Sequence, residues 1–519
     1  MIISLATVFF RLGGLPLTGA DEPRYARIAQ EMWQAGKWVT PRLQDHPWLE
    51  KPPLYYWMTI PFYALAGVNE TTARFGPALC ALVAAWATCW AGAQLWSPLA
   101  GLLAGSILLT TIGFSVFARG ASTDMPLAAF FTLALGLLAV RAAGKMRGRA
   151  KLLMAYIFLG LAALAKGPVA LLLCAGVVVM YWALDERGGS VRGLFLLPGL
   201  VLAAAVAFPW FWLAFRENGY SFIAVYFVNH NFARYVSEVH HHAQPFYYYG
   251  PVLLGLFFPW TGWLAALAEH PPAKLRSWRT WDAAPLFVAC WFLFPIVFFS
   301  LSASKLPGYI LVSLPPLALL MGAASARWIE AKRSCSGVTA AAAWLHLLTS
   351  IAIASAFPIV MKVVYSEDWK QAIPIWAAVV FPAFFALYAA RRGRWKSAMI
   401  ATVAQGMIMV LALTQFAFPV IADHHSARGI ATEAILARGN GEPLVTYGYF
   451  HHTLFYYTDY RIDAELKEPD ELQVFALGHP RFLVVTEGRY LAEFDKLSGF
   501  ACDLLAQQGK LCLLRVRHR

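Results

Sequence analysis

Charge is what this chain has least of: charged residues occupy 14% of 519 positions, against about 25% in an ordinary soluble domain. That shortage excludes the usual solvated surface around one core. Cysteine is sparse as well, seven in all, and no C-x-x-C or zinc-ribbon spacing occurs, so nothing points to a structural zinc site. No basic helix is interleaved with aromatics and no zinc-finger spacing appears, so the formal net charge of +13 does not signal nucleic acid. No internal repeat is visible. The polar residues of interest sit at the ends of apolar runs rather than in their middles, which argues against a transporter or flippase.

What the chain has in excess is apolar length. Hydrophobic residues make up 59% and mean hydropathy is +0.55. Leu99–Phe117, Val169–Leu184, Phe195–Phe215 and Ala398–Ile421 approach or exceed the roughly 20 residues that cross a bilayer as a helix. The pattern predicts about thirteen membrane segments, near 2–17, 72–96, 99–117, 125–140, 152–166, 168–184, 194–215, 249–268, 283–303, 308–326, 338–361, 372–390 and 398–421. The first is short, holds Arg11 and lacks both a charged n-region and a cleavage site. It is expected to be a membrane helix whose start is missing or misassigned.

The basic residues fix the sides. Arg141, Lys145, Arg147, Arg149 and Lys151 form one connector; Lys274, Arg276 and Arg279 a second; Arg327, Lys332 and Arg333 a third; Arg391, Arg392, Arg394 and Lys396 a fourth. Counting segments puts all four on one side, the cytoplasm by the positive-inside rule. Loops 18–71, 118–124, 216–248 and 304–307, and everything after Ile421, then face outside. Residues 422–519 mix helix-like stretches (Ser426–Arg438, Pro469–Leu477, Tyr490–Leu497) with β-rich runs (Pro443–Tyr449, Arg481–Thr486, Lys510–Val516). A small external α/β domain over 422–519, after a membrane domain over 1–421, is expected. Cys80, Cys89, Cys174 and Cys290 fall in membrane segments and Cys335 in a cytoplasmic connector. Only Cys502 and Cys512 lie outside, where an oxidising compartment permits, without requiring, a disulfide.

The outer loops hold the chemistry. Asp21-Glu22-Pro23-Arg24-Tyr25 opens a helix running to about Ala35 with Tyr25, Ile28, Met32 and Ala35 on one face. Asp21 reads as its N-cap, and equally as a carboxylate held at the membrane surface. In Pro47-Trp48-Leu49-Glu50-Lys51-Pro52-Pro53, rigid prolines and headgroup-zone aromatics flank an acid–base pair. Lys51 can neutralise a lipid phosphate, and Glu50 can bind a metal or an amine. Asp124 follows Ser122-Thr123 at a helix start; it is either a cap, with Arg119 as a structural partner, or a second carboxylate on the same side. Loop 216–248 carries Asn229-His230-Asn231, Arg234 and His240-His241-His242. Three consecutive histidines cannot all face one metal, so one of them joining Glu50 is weighed against a solvated run. Lys305 stands alone between apolar helices, either snorkelling or meeting a phosphate at headgroup depth.

Taken together, Asp21–Met32, Glu50–Trp57, Arg74-Phe75, Asp124, Asn231–Arg234 and Ser304-Lys305-Leu306-Pro307-x-Tyr309 resemble the lipid A aminoarabinose (4-amino-4-deoxy-L-arabinose) transferases. These lie within the protein O-mannosyltransferase-like glycosyltransferases of the GT-C fold. The resemblance implies an all-α polytopic membrane enzyme with a small C-terminal periplasmic α/β domain, in the bacterial inner membrane, its site facing the periplasm. Asp21 would be the principal catalytic carboxylate and Asp124 a second one. Lys51, Arg234 and Lys305 would hold the donor phosphate, and Glu22 and Tyr309 would contact substrate. Glu50 would help bind a divalent metal, with His240 as a candidate second ligand, or position substrate; no other cofactor is implied. The implied partners are an undecaprenyl-phosphate-linked sugar, lipid A or another periplasmic acceptor, and membrane lipids, with no nucleic acid. The alternative is a protein or other-glycan glycosyltransferase with a different sugar.

Overall fold

The computed structural model describes residues 2–185, 192–236, 244–269, 282–331, 335–365, 369–497 and 499–519. After two short helical pieces, Ile2–Ser4 and Leu5–Phe9, comes helix α1 (Asp21–Ala35), which ends at Gly36 in the left-handed region. A two-stranded hairpin (β1, Arg42–Leu43; β2, His46–Pro47) leads to α2 (Leu54–Ala66). The membrane helices then begin with α3 (Glu70–Leu95), whose start is fixed by a reciprocal cap between Asn69 and Thr72. The next are α4 (Pro98–Thr110), α5 (Ile112–Ala118), α6 (Asp124–Ala142), α7 (Arg149–Lys166), α8 (Val169–Leu184) and α9 (Leu196–Asn218).

Among the described residues, eight helices have the length and composition to cross a membrane, and two bent pairs bring the number to ten. One pair is α4 with α5, bent by 68°, and the other is Tyr249–Leu256 with Trp260–Ala268, bent by 111°. This is fewer than the sequence pattern predicts, and the shortfall has causes. The first run is helical only over Ile2–Phe9. α8 has only 16 residues. α7 starts with Arg149 and Lys151 and ends in Lys166, so its apolar part is short. α2 was not foreseen as an element, because its 13 apolar residues are interrupted by Pro61. The chain is nonetheless a multi-pass membrane protein.

The centre of the bundle is built from close helix pairs: α3 packs on α4 and α6, and α6 on α7. Small residues make these approaches possible, as expected where lipid offers no hydrophobic drive between helices. A side chain at Gly101 would put its Cβ 2.2 Å from the Cys89 carbonyl oxygen and 2.6 Å from the Ala93 nitrogen.

The C-terminal region carries a five-stranded sheet in the order β4-β3-β5-β7-β6. Its strands are β3 (Leu444–Tyr447), β4 (Ala464–Leu466), β5 (Arg481–Glu487), β6 (Phe500–Gln508) and β7 (Leu511–His518). β3 is parallel to β4 and β5, whereas β7 runs antiparallel to β5 and β6. Helix α10 (His452–Tyr457) follows β3. Strand β6 escaped the sequence pattern because FACDLLAQQ has no β-branched residue; as an edge strand it is held by its pairing with β7. Cys502 faces Val516 and Cys512 faces Gln507 in that pairing, and both thiols are free. Four residues of strand separate Cys512 from Val516, about 13 Å, beyond the reach of a disulfide.

The Gly101 contact gives a direct test. Gly101→Ala is expected to destabilise the bundle by about 1–3 kcal/mol through overpacking, read as a lower melting temperature in detergent. Gly250→Ala, where a Cβ meets nothing within 4 Å, serves as the neutral control.

Candidate active site

The site is assembled on a buried ion pair. Glu22, in the first turn of α1, takes Arg74 of α3 in a forked contact, Nη2 at 2.8 Å and Nε at 2.9 Å. Its carboxylate also accepts the backbone N–H of Ala121 at 2.8 Å and of Thr18 at 2.9 Å. Arg74 spends its remaining donors on the carbonyls of Leu12, Leu15 and Pro16. Burial alone would raise the Glu22 pKa, but the Arg74 charge and these hydrogen bonds hold it below the ordinary carboxylate range. Both oxygens are therefore committed, and the structure places Glu22 as the clamp between α1 and the loop leading to Asp124. Arg119, weighed as a partner for Asp124, instead donates to the carbonyls of Thr7, Val8 and Phe10.

Asp21 is the first residue of α1, not its cap. The N-cap is Ala20, with no side-chain hydrogen bond. The carboxylate pairs with Arg24 one turn on and its side chain remains 59% exposed. Arg24 is held by the Ala20 carbonyl at 3.0 Å and lies over the Trp48 ring at 5.1 Å. Trp48 belongs to the loop that delivers Glu50 and Lys51. That loop is pinned by Trp57 Nε1 donating to the Trp38 carbonyl at 2.9 Å and Trp210 Nε1 donating to the Val39 carbonyl at 2.8 Å.

Asp124 opens α6, again without acting as a cap, and forms an ion pair with Lys166 at the end of α7. Lys166 Nζ lies 5.0 Å from the Tyr309 ring centroid and the Arg234 guanidinium 5.8 Å from the same ring. The Nε of Arg234 is buried and has no hydrogen-bond partner among the described residues. Lys51 makes no hydrogen bond or ion pair among the described residues, yet it feels Arg234, Glu50, Lys166 and Asp21 electrostatically. Asp21, Glu50, Lys51, Asp124, Arg234 and Tyr309, drawn from five separate stretches of chain, thus share one neighbourhood. Lys305 is buried beside it, its ammonium held by the carbonyls of Ser302 at 2.6 Å and Gln244 at 2.9 Å.

Sequence reasoning missed Lys166. The available signal was a lysine closing an apolar run just before Gly167-Pro168, on the outer side by the segment count. It also missed that Glu50 meets His230, Oε1 to Nε2, at 3.5 Å; His240 lies outside the described residues. Among the described residues no three His, Cys, Asp or Glu side chains gather as a metal-binding group. Beside Lys166, an apolar cavity of about 340 Å³ runs between α7, α8 and α9, lined by Ala163, Pro168, Leu171, Phe208, Phe211 and Trp212 among others.

Burial raises the Glu50 pKa against the pull of Lys51 and Arg24. Burial, reinforced by Arg234, lowers that of Lys51 to about 8. Lys51 is thus repelled by Arg234 and Lys166 and attracted by Glu50 and Asp21, and burial outweighs that attraction. Between pH 8 and the ordinary lysine value of 10.5, the unfolded chain binds more protons at Lys51 than the folded one, so stability rises with pH across that window. Lys51→Met is therefore expected to melt above the unsubstituted protein at pH 7, with the gap closing as pH passes through this window in a detergent melting series. In contrast, Glu22→Ala strands Arg74 and is expected to cost about 3 kcal/mol, seen as a lower melting temperature at every pH near neutral.

Residues 17–233 match the family model described as dolichyl-phosphate-mannose-protein mannosyltransferase. Undecaprenyl phosphate-alpha-4-amino-4-deoxy-L-arabinose arabinosyl transferase 1 of Pseudomonas fluorescens is 33% identical over 339 residues, 63% of this chain and 57% of that protein. The corresponding transferase of Photorhabdus laumondii is 31% identical over 324 residues, 61% of this chain and 56% of the relative. The matched stretch thus spans less than two thirds of the length of these relatives. The crystal structure of ArnT from Cupriavidus metallidurans bound to undecaprenyl phosphate superposes with a TM-score of 0.77 at 24% identity, covering 99% of this chain and 96% of the other. In sequence over about three fifths of its length the chain resembles the aminoarabinose transferases, and along nearly all of it the fold is that of the Cupriavidus metallidurans structure.

Proposed function

We propose that this chain is a glycosyltransferase that moves a sugar, aminoarabinose by the likeness to its relatives, from undecaprenyl phosphate to a lipid A phosphate. The site would face the periplasm from the inner membrane. Residues 1–421 would form the membrane catalytic domain and 422–519 a periplasmic α/β domain. The observation that carries this reading is the gathering of Lys51, Lys166 and Arg234 near Asp21 and Asp124 at one end of the bundle.

The chemistry follows from that arrangement. An acceptor oxygen forms a bond to the anomeric carbon while the bond from that carbon to the carrier phosphate breaks. The electron pair leaves with undecaprenyl phosphate. Lys51 and Arg234 stabilise the charge on the leaving phosphate, an effect enlarged where water is excluded. Lys166 holds Asp124 and adds its charge over Tyr309. An ionised phosphate acceptor needs no base, so Asp21 then stabilises positive charge on the sugar or orients the acceptor. With a hydroxyl acceptor it removes the proton, a contribution of about 10²–10⁴-fold. The apolar cavity beside Lys166 suits the polyprenyl chain.

The match to protein mannosyltransferases over residues 17–233 supports a second reading, transfer to protein or another glycan. Asp21→Asn is expected to insert and fold normally yet lose transfer by about 100-fold or more, measured with purified lipid-linked donor and lipid A. Near-normal turnover would leave Asp21 as merely the partner of Arg24. Mass spectrometry of lipid A from cells with and without the gene separates the two acceptors: unchanged lipid A beside altered glycoproteins would favour the second.

A further inference from the structure

The C-terminal sheet region does not hang free of the site. Tyr456 and Tyr457 of α10 pack into the cluster formed by α1 and α2. The Tyr457 hydroxyl accepts the Leu17 N–H at 2.7 Å and donates to Glu70 at 2.9 Å. Arg428 reaches the same Glu70 at 3.1 Å, and Arg27 pairs with Asp459 at 2.5 Å while lying over Tyr460 at 4.9 Å. These contacts seat α10 against the helix that begins with Asp21.

His452 stands one turn before Tyr456 on the same face of α10. Its neighbour His451 is spent on capping: it accepts the Thr453 N–H. His452 is not. Its ring meets Phe450 edge-on at 4.9 Å, and neither nitrogen has a hydrogen-bond partner among the described residues. The charges it feels are those of Arg24, His451 and Asp21. Arg24 has capacity left too: Nε is taken by Ala20 and Nη2 by Asp21, and Nη1 has no partner among the described residues.

Resting on the proposed reaction, we propose that His452 of the C-terminal region is a substrate-contacting residue that, with Arg24, seats the anionic group of the acceptor beside Asp21. Two anionic lipids must meet in one reaction, and a single cluster of cations cannot hold both phosphates without bringing their charges together. Lys166 and Arg234 lie over Tyr309, and Lys51 and Arg234 act on Glu50, which Arg24 also reaches. Arg24 and His452 lie where α1 meets α10. Burial and the nearby Arg24 push the His452 pKa down to about 4, so at neutral pH the ring is uncharged and offers one N–H donor.

The test uses the full-length protein with undecaprenyl-phosphate aminoarabinose as donor and purified lipid A as acceptor. His452→Ala is expected to raise the acceptor KM by about tenfold or more. The donor KM and kcat at saturating acceptor should hold, with an unaltered melting temperature. His452→Gln, which keeps an N–H donor, is expected to restore most of the acceptor affinity. An unchanged acceptor KM in an active His452→Ala protein would overturn the inference. Parallel loss of donor and acceptor parameters with a lowered melting temperature would also overturn it, since that marks a structural role. An unsubstituted protein that transfers nothing between these two lipids would instead refute the proposed reaction, and this inference with it.

Discussion

The Glu22–Arg74 ion pair is the contact on which the geometry of the site depends. A carboxylate and a guanidinium buried together cost desolvation, and they remain favourable only because every lone pair and nearly every N–H finds a partner. Glu22 accepts from five donors in three segments, and Arg74 binds three carbonyls besides. The result is that α1, α3, residues 12–18 and the loop before α6 cannot shift independently. Asp21 and Asp124, 103 positions apart in the sequence, are oriented through this one knot. A neighbouring acid in the same motif thus serves architecture while Asp21 stays exposed.

The second constraint is electrostatic. Lys51 lacks an ion-pair partner among the described residues and is pushed toward neutrality by burial and by Arg234. Such an arrangement is unfavourable in itself, and under the proposed reaction the donor phosphate would relieve it. If Lys51 binds the donor as proposed, stability is given up there for binding, a common trade at functional sites. Asp124, by contrast, is already matched by Lys166, so the two carboxylates start from different electrostatic states.

Much of this was legible from residue order. The length of the apolar runs gave the membrane class, and Asp21–Tyr25, Glu50-Lys51 and Asp124 stood out because charge is scarce. The sides assigned from arginine and lysine counts placed these groups together. What stayed hidden depends on pairing across the fold. Lys166 looked like the end of a helix because its partner lies 42 positions away. Glu22 looked like a ligand group because Arg74 is 52 positions away. The α2 helix hid behind its proline, and β6 behind a composition that only β7 makes into a strand.

The cavity beside Lys166 is walled by aromatic side chains of α9, and two of these, Phe208 and Trp212, are also exposed on the outer surface of that helix. A pocket with such walls is reached sideways, from among the acyl chains, not from water. For a molecule entering by that route the governing concentration is its mole fraction in the leaflet. Dilution with inert lipid, at constant amount per volume of suspension, then slows encounter, because the bilayer is the solvent in which that concentration is set.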